Sequence, residues 1–164
     1  MTIRITEQDF DLTAEIAALR AAQPQIGAVV AFVGTVREMN EGAAIDAMTL
    51  EHYPGMTEQS IQTIVDQASA RWPVSATLVI HRVGMLRPKE QIVLVAVACT
   101  HRGEAFAACE FIMDHLKTQA PFWKKEQTPA GARWVDARAM DEDALMKWQD
   151  GRLKAAVTAV KERA

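Results

Sequence analysis

The stretch 99–126 places cationic and titratable side chains on both sides of one predicted helix. His101 and Arg102 follow an apolar run and precede the helix, and Lys117 lies near its end. After a turn at Pro121 the chain continues through a second charged group, Lys124, Lys125 and Glu126. Catalytic and anion-binding side chains concentrate where elements begin and end, but a buried helix with solvated tips has the same pattern. The stretch alone leaves both interpretations open.

His101 and Arg102 lie at a predicted strand-to-helix junction. Free backbone N–H groups and the positive end of the helix dipole would add to an imidazole and a guanidinium there. This combination suits a phosphate group. A histidine that only caps the helix or fills a gap explains the pair equally well.

Lys117 is the residue whose position suggests catalysis most strongly. On a helical wheel, Phe106 and Met113 flank the core stripe and Lys117 falls beside them. The stripe itself consists of Ala105, Ala108, Cys109, Ile112 and Leu116. An amine that loses water and has a second cation nearby, such as Lys124, gives up its proton more readily and can act as acid, base or nucleophile. The alternative is a helix-end lysine whose ammonium simply reaches solvent.

Arg37 is a further candidate because it follows a predicted strand that contains Gly34. Its planar guanidinium suits bidentate capture of phosphate or carboxylate. An arginine at the end of a strand is more often simply solvated, so this position alone does not decide its role.

The apolar pattern predicts an α+β domain with a mostly antiparallel or mixed sheet. Gly27 and Gly34 are expected to mark a bulge or a close backbone approach, and 38–42 a polar loop. The run 91–99 has no polar alternation, so we expect helices on one of its faces and another sheet or subunit on the other. The predicted strands are 2–6, 26–36, 47–53, 74–83, 91–99, 122–127 and 132–135, and the predicted helices are 12–19, one from residue 57, one ending at Lys117 and one from about residue 141.

The composition excludes several classes of function. The 164 residues, 49% of them hydrophobic and 24% charged, fit one domain, and a net charge of −3 argues against general nucleic-acid binding. Cys99 and Cys109 have no metal-ligand spacing, so we expect inert buried thiols and no metal. The polar N-terminus and the absence of a long apolar run predict a cytoplasmic protein without a membrane segment. Nucleotide-binding loops, zinc helices and serine-hydrolase motifs are absent from the sequence.

Several motifs, in order, resemble those of the molybdopterin synthase catalytic (large) subunit family. The most specific are Thr100-His101-Arg102 and the block that runs from Phe111 to Glu126. The others are Phe32 to Arg37, Leu50 to Tyr53, His81 to Gly84, Arg133 to Val135 and Ala137-Arg138. The resemblance covers roughly residues 1–140, so the expected organisation is one catalytic domain, 1–140, and a C-terminal helical extension, 141–164.

The resemblance implies an α/β-hammerhead-like domain with an added small antiparallel sheet, in a homodimer within a heterotetramer. It also implies a sulfurtransferase that converts cyclic pyranopterin monophosphate into molybdopterin by installing two sulfurs as a dithiolene. The sulfur donor would be the C-terminal Gly-Gly thiocarboxylate of a small ubiquitin-like subunit, without cofactor or metal. Because this chain contains no Gly-Gly and ends Lys161-Glu162-Arg163-Ala164, we expect a separate sulfur carrier.

The resemblance assigns roles to the candidate residues. Lys117 and Lys124 would be catalytic, with Lys117 as acid, base or transient amine and Lys124 stabilising negative charge. Substrate binding would involve both lysines together with Thr35, Val36, Arg37, His101, Arg102, Lys125, Glu126 and, from the neighbouring subunit, Arg138. Both ends of the helix are thus expected in one pocket. A non-catalytic dimeric module that binds a phosphorylated ligand or a ubiquitin-like tail, and an enzyme for another phosphorylated heterocycle, are the alternatives.

Overall fold

The computed structural model describes residues 1–21, 23–40, 42–135 and 144–148, and these form an α+β fold, as predicted. The helices are α1 (Leu12–Ala21), α2 (Met56–Arg71), α3 (Arg102–Gln119) and a short α4 (144–148). The strands are β1 (Thr2–Thr6), β2 (Ala28–Thr35), β3 (Met39–Asn40), β4 (Ala43–Ala44), β5 (Ala47–His52), β6 (Val74–Arg82), β7 (Gly84–Leu86), β8 (Gln91–Cys99), β9 (Phe122–Thr128) and β10 (Gly131–Val135).

The first sheet has the strand order β1-β6-β8-β2 and is mixed, because β1 runs parallel to β6 while the other pairs are antiparallel. Helices α2 and α3 cover one face through a core that includes Ile61, Phe111 and Ile112. Helix α1 contributes Leu19 to the core on the opposite face. The central strand β8 is therefore buried on both sides, as its apolar run predicts, but α1 takes the place where another sheet or subunit was expected.

The second sheet has the order β10-β9-β5-β7 and is antiparallel throughout. Its inner face packs Met48 and Leu50 against Val36 and Leu86. Strand β7 and the small β3-β4 hairpin lie in segments that were predicted to be loops. Strands of two or three residues are too short to show a period in the sequence, so tertiary pairing defines them.

Two glycines bring β2 and β8 close together, Gly27 just before β2 begins and Gly34 near its end. A Cβ at Gly27 would lie 2.3 Å from the carbonyl oxygen of Thr100, and one at Gly34 would lie 2.8 Å from a methyl group of Val93. The ladder between β2 and β8 also shifts register at Gly34 and Thr35. The predicted close approach and bulge are therefore confirmed, and they fix where the chain enters α3 and where it leaves β2.

Helix α3 is buried on two sides. Phe111, which the wheel places opposite the core stripe, packs edge-on against Trp72 and Trp148, with ring centroids 5.6 and 5.3 Å away. Lys147 of α4 contacts Glu110 and Asp114 of α3 at 2.7 and 2.9 Å. Helix α3 therefore has a second buried surface, and α4 provides part of it. The remainder of the predicted helix from residue 141 lies outside the described residues.

Candidate active site

An open groove of about 450 Å³ runs between β2 and α3. β2 is the edge strand of the first sheet, and Phe32 on it is 39% exposed. Across the groove, Phe106 of α3 is 62% exposed. The other lining residues are Val30, Ala31, Cys109, Glu110, Met113, Asp114 and Lys117. The groove is therefore largely apolar, and the charged groups that line it all belong to α3.

Lys117 lies in the last turn of α3 and lines this groove. Every residue of the predicted core stripe is buried, whereas Lys117 is exposed. The predicted position beside apolar surface is confirmed, because Phe32 and Met113 line the same groove. An amine at this position can exchange a proton with a bound ligand or attack a carbonyl carbon.

The turn after α3 is held from two sides before the chain enters β9. The Thr57 hydroxyl of α2 donates a hydrogen bond to the Pro121 carbonyl at 3.2 Å. The His81 ring stacks on Phe122 with centroids 3.8 Å apart. These contacts fix the start of β9, and Lys124 follows two residues later on the same strand.

The carboxylate of Glu126 is the centre of a charged cluster on the inner face of the second sheet. Its side chain is 1% exposed. Lys124 lies 3.5 Å from one of its oxygens, and Arg133 of β10 lies 3.1 Å from the other. The Asn40 amide donates hydrogen bonds to both oxygens, at 2.9 and 3.0 Å. A buried carboxylate surrounded in this way is paired rather than isolated, which is the condition for keeping its charge.

The net effect of these neighbours is a lowered pKa for Glu126. Burial acts in the opposite direction and is the largest single influence, because it disfavours the ionised form. Hydrogen bonds from Asn40 and Arg133, together with the positive charges of Lys124 and Arg133, outweigh it. Glu126 is therefore an anion at neutral pH, and its charge stabilises the cations around it.

Arg37 joins this cluster through Asn40. Its guanidinium donates a hydrogen bond to the Asn40 side-chain oxygen at 2.8 Å. The side chain is exposed, so its other N–H groups can face a ligand. The structure thus brings two of the predicted cations, Arg37 and Lys124, to one buried carboxylate.

Thr35 and Val36 lead the chain from β2 towards Arg37. Thr35 is exposed at the end of β2. Val36 is 2% exposed, and its backbone N–H and carbonyl bond to Glu90 and Lys89 at 2.9 and 2.8 Å. Val36 therefore anchors this segment in the core, and the exposed groups beside it are those of Thr35 and Arg37.

Lys125 points away from the cluster, because side chains alternate along a strand. Its ammonium lies 5.4 Å from the centre of the Trp134 ring on the outer face of the sheet. Lys124 and Glu126 share the inner face. The three consecutive residues of the predicted binding group are therefore divided between two faces.

His101 and Arg102 lie at the other end of β2 and α3. His101 is the N-cap residue of α3, with an extended backbone and no capping hydrogen bond from its side chain. Both side chains are exposed. Among the described residues, neither forms an ion pair.

The two groups of cations are far apart within one chain. Ala28 pairs with Cys99 next to the His101 junction, whereas Thr35 pairs with Gln91 next to Arg37. The seven steps between Ala28 and Thr35 span about 23 Å of extended strand. Likewise, Arg102 and Lys117 are separated by about 22 Å of helix. A single chain therefore does not bring His101 and Arg102 into one pocket with Lys117 and Arg37.

Sequence reasoning missed Asn40 and Arg133 as members of the site. Asn40 belongs to a segment predicted to be a polar loop, and nothing in its neighbourhood indicates burial. Arg133 could have been found, because it is separated by one hairpin from Glu126 and directly opposes it in the ladder. Arg138, which the resemblance assigns to the site, lies outside the described residues.

Metal sites and membrane segments also bear on the class of protein. The described residues contain no cluster of three or more His, Cys, Asp or Glu side chains that could hold a metal ion. None of their helices is long and apolar enough to span a membrane.

Together, the fold and the site define an α+β protein with a largely apolar groove that is lined by a lysine and with cations held by a buried carboxylate. The profile of the family described as MoaE protein matches residues 5–119. The chain belongs to this family, and the resemblance to the molybdopterin synthase catalytic subunit is confirmed.

Similar proteins agree with this assignment. The molybdopterin synthase catalytic subunit of Ralstonia nicotianae is 69% identical over 90% of this chain and 84% of its own length. The solved molybdopterin biosynthesis MoaE protein from Burkholderia ambifaria is 58% identical, with a TM-score of 0.79 over 90% of this chain and 97% of its own. A chain in the protein-protein complex of subunits 1 and 2 of molybdopterin-converting factor from Helicobacter pylori has a TM-score of 0.69 at 20% identity over 83% and 91% of the two chains, which is a likeness of fold.

Proposed function

We propose that this chain acts as the catalytic subunit of molybdopterin synthase and is a sulfurtransferase. It would move sulfur from the C-terminal thiocarboxylate of a small ubiquitin-like subunit to cyclic pyranopterin monophosphate, forming the dithiolene of molybdopterin. The observation that supports this most directly is the groove between β2 and α3, which is largely apolar and has Lys117 among its lining residues. The relatives' shared name supports the same role.

The groove suits the extended tail of a protein partner. Phe32 and Phe106 expose apolar surface on its two sides, and covering such surface is favourable. A Gly-Gly tail has no side chains, so it can approach a strand edge closely. Its anionic thiocarboxylate end would then meet the ammonium of Lys117.

The two lysines would share the chemistry of sulfur transfer. Lys117 acts as the acid, base or transient amine when the thiocarboxylate reacts. Lys124, held 3.5 Å from the Glu126 carboxylate, stabilises negative charge that develops on the substrate. Glu126 is too deeply buried to contact the substrate, so its role is to hold Lys124.

The phosphate of the substrate would be bound by residues of two copies of the chain. Arg37 joins the Glu126 cluster through Asn40, but His101 and Arg102 are about 23 Å away along β2. A second copy can supply its own His101 and Arg102, and Arg138 is expected to enter in the same way. The proposed assembly is therefore a homodimer of hammerhead-like domains within a heterotetramer that contains two sulfur-carrier subunits.

The proposal also includes the domain boundaries and the cellular location of the protein. The catalytic domain would span 1–140, and 141–164 would be an extension that begins to pack on α3 through α4. A cytoplasmic location is also proposed, and the two buried free thiols, Cys99 and Cys109, agree with it.

The test is a mass spectrum of cyclic pyranopterin monophosphate after incubation with this protein and a thiocarboxylated ubiquitin-like subunit. We expect a product that carries two sulfur atoms, with the carrier returned as a carboxylate. The control is the same carrier without its thiocarboxylate sulfur. Binding of both partners without any change in mass would instead identify a non-catalytic binding module.

A further inference from the structure

Asn40 is a buried polar residue that the proposed chemistry does not use. It is 3% exposed and lies in β3, the short strand that the sequence does not reveal. Its side chain contacts two groups of opposite charge, because it accepts from Arg37 at 2.8 Å and donates to Glu126 at 2.9 and 3.0 Å. A buried amide with this set of contacts joins two parts of the site.

The chemistry of an amide explains why asparagine fits this position. The carbonyl oxygen accepts and the NH2 group donates, so the oxygen suits a guanidinium and the nitrogen suits a carboxylate. An aspartate would place a second carboxylate against Glu126, and a leucine would offer neither contact. Asparagine is the residue of this size that satisfies both neighbours at once.

We propose that Asn40 is a positioning residue that couples Arg37 to Lys124 through the buried carboxylate of Glu126. In this arrangement the cation assigned to the phosphate and the cation assigned to the reacting carbons are held as one unit. The inference rests on the proposed function, since it is the proposed function that gives Arg37 and Lys124 their separate tasks. The inference adds that the positions of Arg37 and Lys124 depend on each other.

The groups around Glu126 determine which substitutions should reveal this coupling. Within the part of the chain that the structure describes, the charged groups that face it are Lys124 from its own strand and Arg133 from β10. Arg37 reaches it through Asn40, and β5 contributes the uncharged Met48. Removal of Arg37 or of the Asn40 amide should therefore change the titration of Glu126, although Arg37 is bonded to Asn40 rather than to the carboxylate.

The first experiment follows the titration of the Glu126 carboxyl carbon by NMR in the whole protein. In Asn40→Asp, two neighbouring carboxylates cannot both ionise easily, so the Glu126 titration should move upward by about one pH unit or more. In Arg37→Gln the Glu126 titration should also move upward, by a smaller amount. Arg37 is exposed, so this substitution should not impair folding. Lys89→Gln is the matched control, because it removes an exposed cation whose amide bonds to Val36 but which has no contact with Asn40. The control should leave the titration unchanged.

The second experiment separates positioning from mere structural support. Asn40→Asp should raise KM for the phosphorylated substrate, because the introduced carboxylate neutralises Arg37, and should lower kcat about tenfold, because Glu126 loses the two amide hydrogen bonds that fix the carboxylate beside Lys124. A residue needed only for stability would lower the unfolding temperature and leave KM and kcat of the folded protein unchanged.

A Glu126 titration that is the same in wild type, Arg37→Gln and Lys89→Gln would overturn the proposal, even if Asn40→Asp does not fold. The NMR readout needs no substrate. Failure of the coupling is therefore distinguishable from failure of the proposed function, which would appear as no conversion by the unaltered protein.

Discussion

The two ends of helix α3 carry cations in different settings. At the N-terminal end, His101 and Arg102 are exposed, and within the described residues they have no carboxylate partner. At the C-terminal end, Lys117 borders a groove, and the chain then continues to Lys124, which lies against the buried Glu126. Among the residues that the structure describes, carboxylate contacts hold the cations at the C-terminal end and not those at the N-terminal end.

This difference shows how a small protein can divide a binding site. Fixed charges stabilise a transition state best when they are positioned before the substrate arrives. The Glu126 cluster provides this for Arg37 and Lys124. The exposed pair at the other end would become fixed only when a ligand or a second copy covers it. The comparison therefore separates the end that we propose is catalytic from the end that we propose contributes to a second copy.

The largest effect should come from Lys117→Ala. Removing the amine eliminates the proposed acid, base or nucleophile, so kcat should fall by about 100-fold or more while folding and carrier binding persist. Lys89→Ala is the matched control, since that lysine is exposed and its ammonium pairs with Glu38 at the surface. Near-normal conversion by Lys117→Ala would show that the C-terminal end is not the catalytic one.

Lys124→Ala should have a somewhat smaller effect, of about 100-fold on kcat, because a single stabilising donor is lost. The variant Lys125→Ala tests whether the outer face of β9 also contributes to conversion. Lys125 lies over Trp134 on the outer face, so we expect little change in conversion. Equal losses in the two variants would mean that the side of the sheet does not define the site.

A smaller effect concerns stability at the C-terminal end, where His81 stacks on Phe122. Burial lowers the pKa of His81 to about 4; the hydrogen bond with the Arg82 carbonyl opposes this, and the charge of His52 adds to it. Because the folded pKa is below the unfolded value of 6.5, the unfolded chain binds the extra proton between those values. Folding stability should therefore fall as the pH drops from about 6.5 to 4, by up to about 3 kcal/mol.

The variant His81→Phe keeps an aromatic ring on Phe122 but cannot take up a proton. Chemical denaturation at several pH values should show a shallower loss of stability in this variant than in wild type. The reference is pH 8, where His81 is neutral in both states. Identical pH dependence in the two proteins would exclude His81 as the cause.

The parts of the fold that the sequence predicts are those set by local pattern. The period of α3 places Lys117 beside apolar surface, and the unbroken apolar run of β8 predicts a strand covered on both faces. The glycines at 27 and 34 indicate the close approach and the bulge. Each of these signals lies within one element, so no long-range information is needed.

The parts that the sequence does not predict depend on pairing between distant segments. Asn40 and Glu126 are 86 residues apart in the sequence, and Asn40 belongs to a two-residue strand that is too short to show a period. The separation of His101 from Arg37 follows from the antiparallel register of β2 and β8. The spacing of residues along the sequence does not reveal this register. The motifs thus predict the members of the proposed site, whereas the pairing of β2 with β8 determines which of these residues one chain can bring together.

The most direct test of this account uses mixed dimers of Lys117→Ala and Arg102→Ala chains. If one site takes its lysine from one copy and its arginine from the other, each mixed dimer contains one intact site, and random mixing restores about a quarter of the wild-type sites. We predict that conversion by the mixture, measured at low substrate concentration, exceeds that of either variant alone. Activity equal to the average of the two separate variants would contradict the account, because it would place the whole site within one chain.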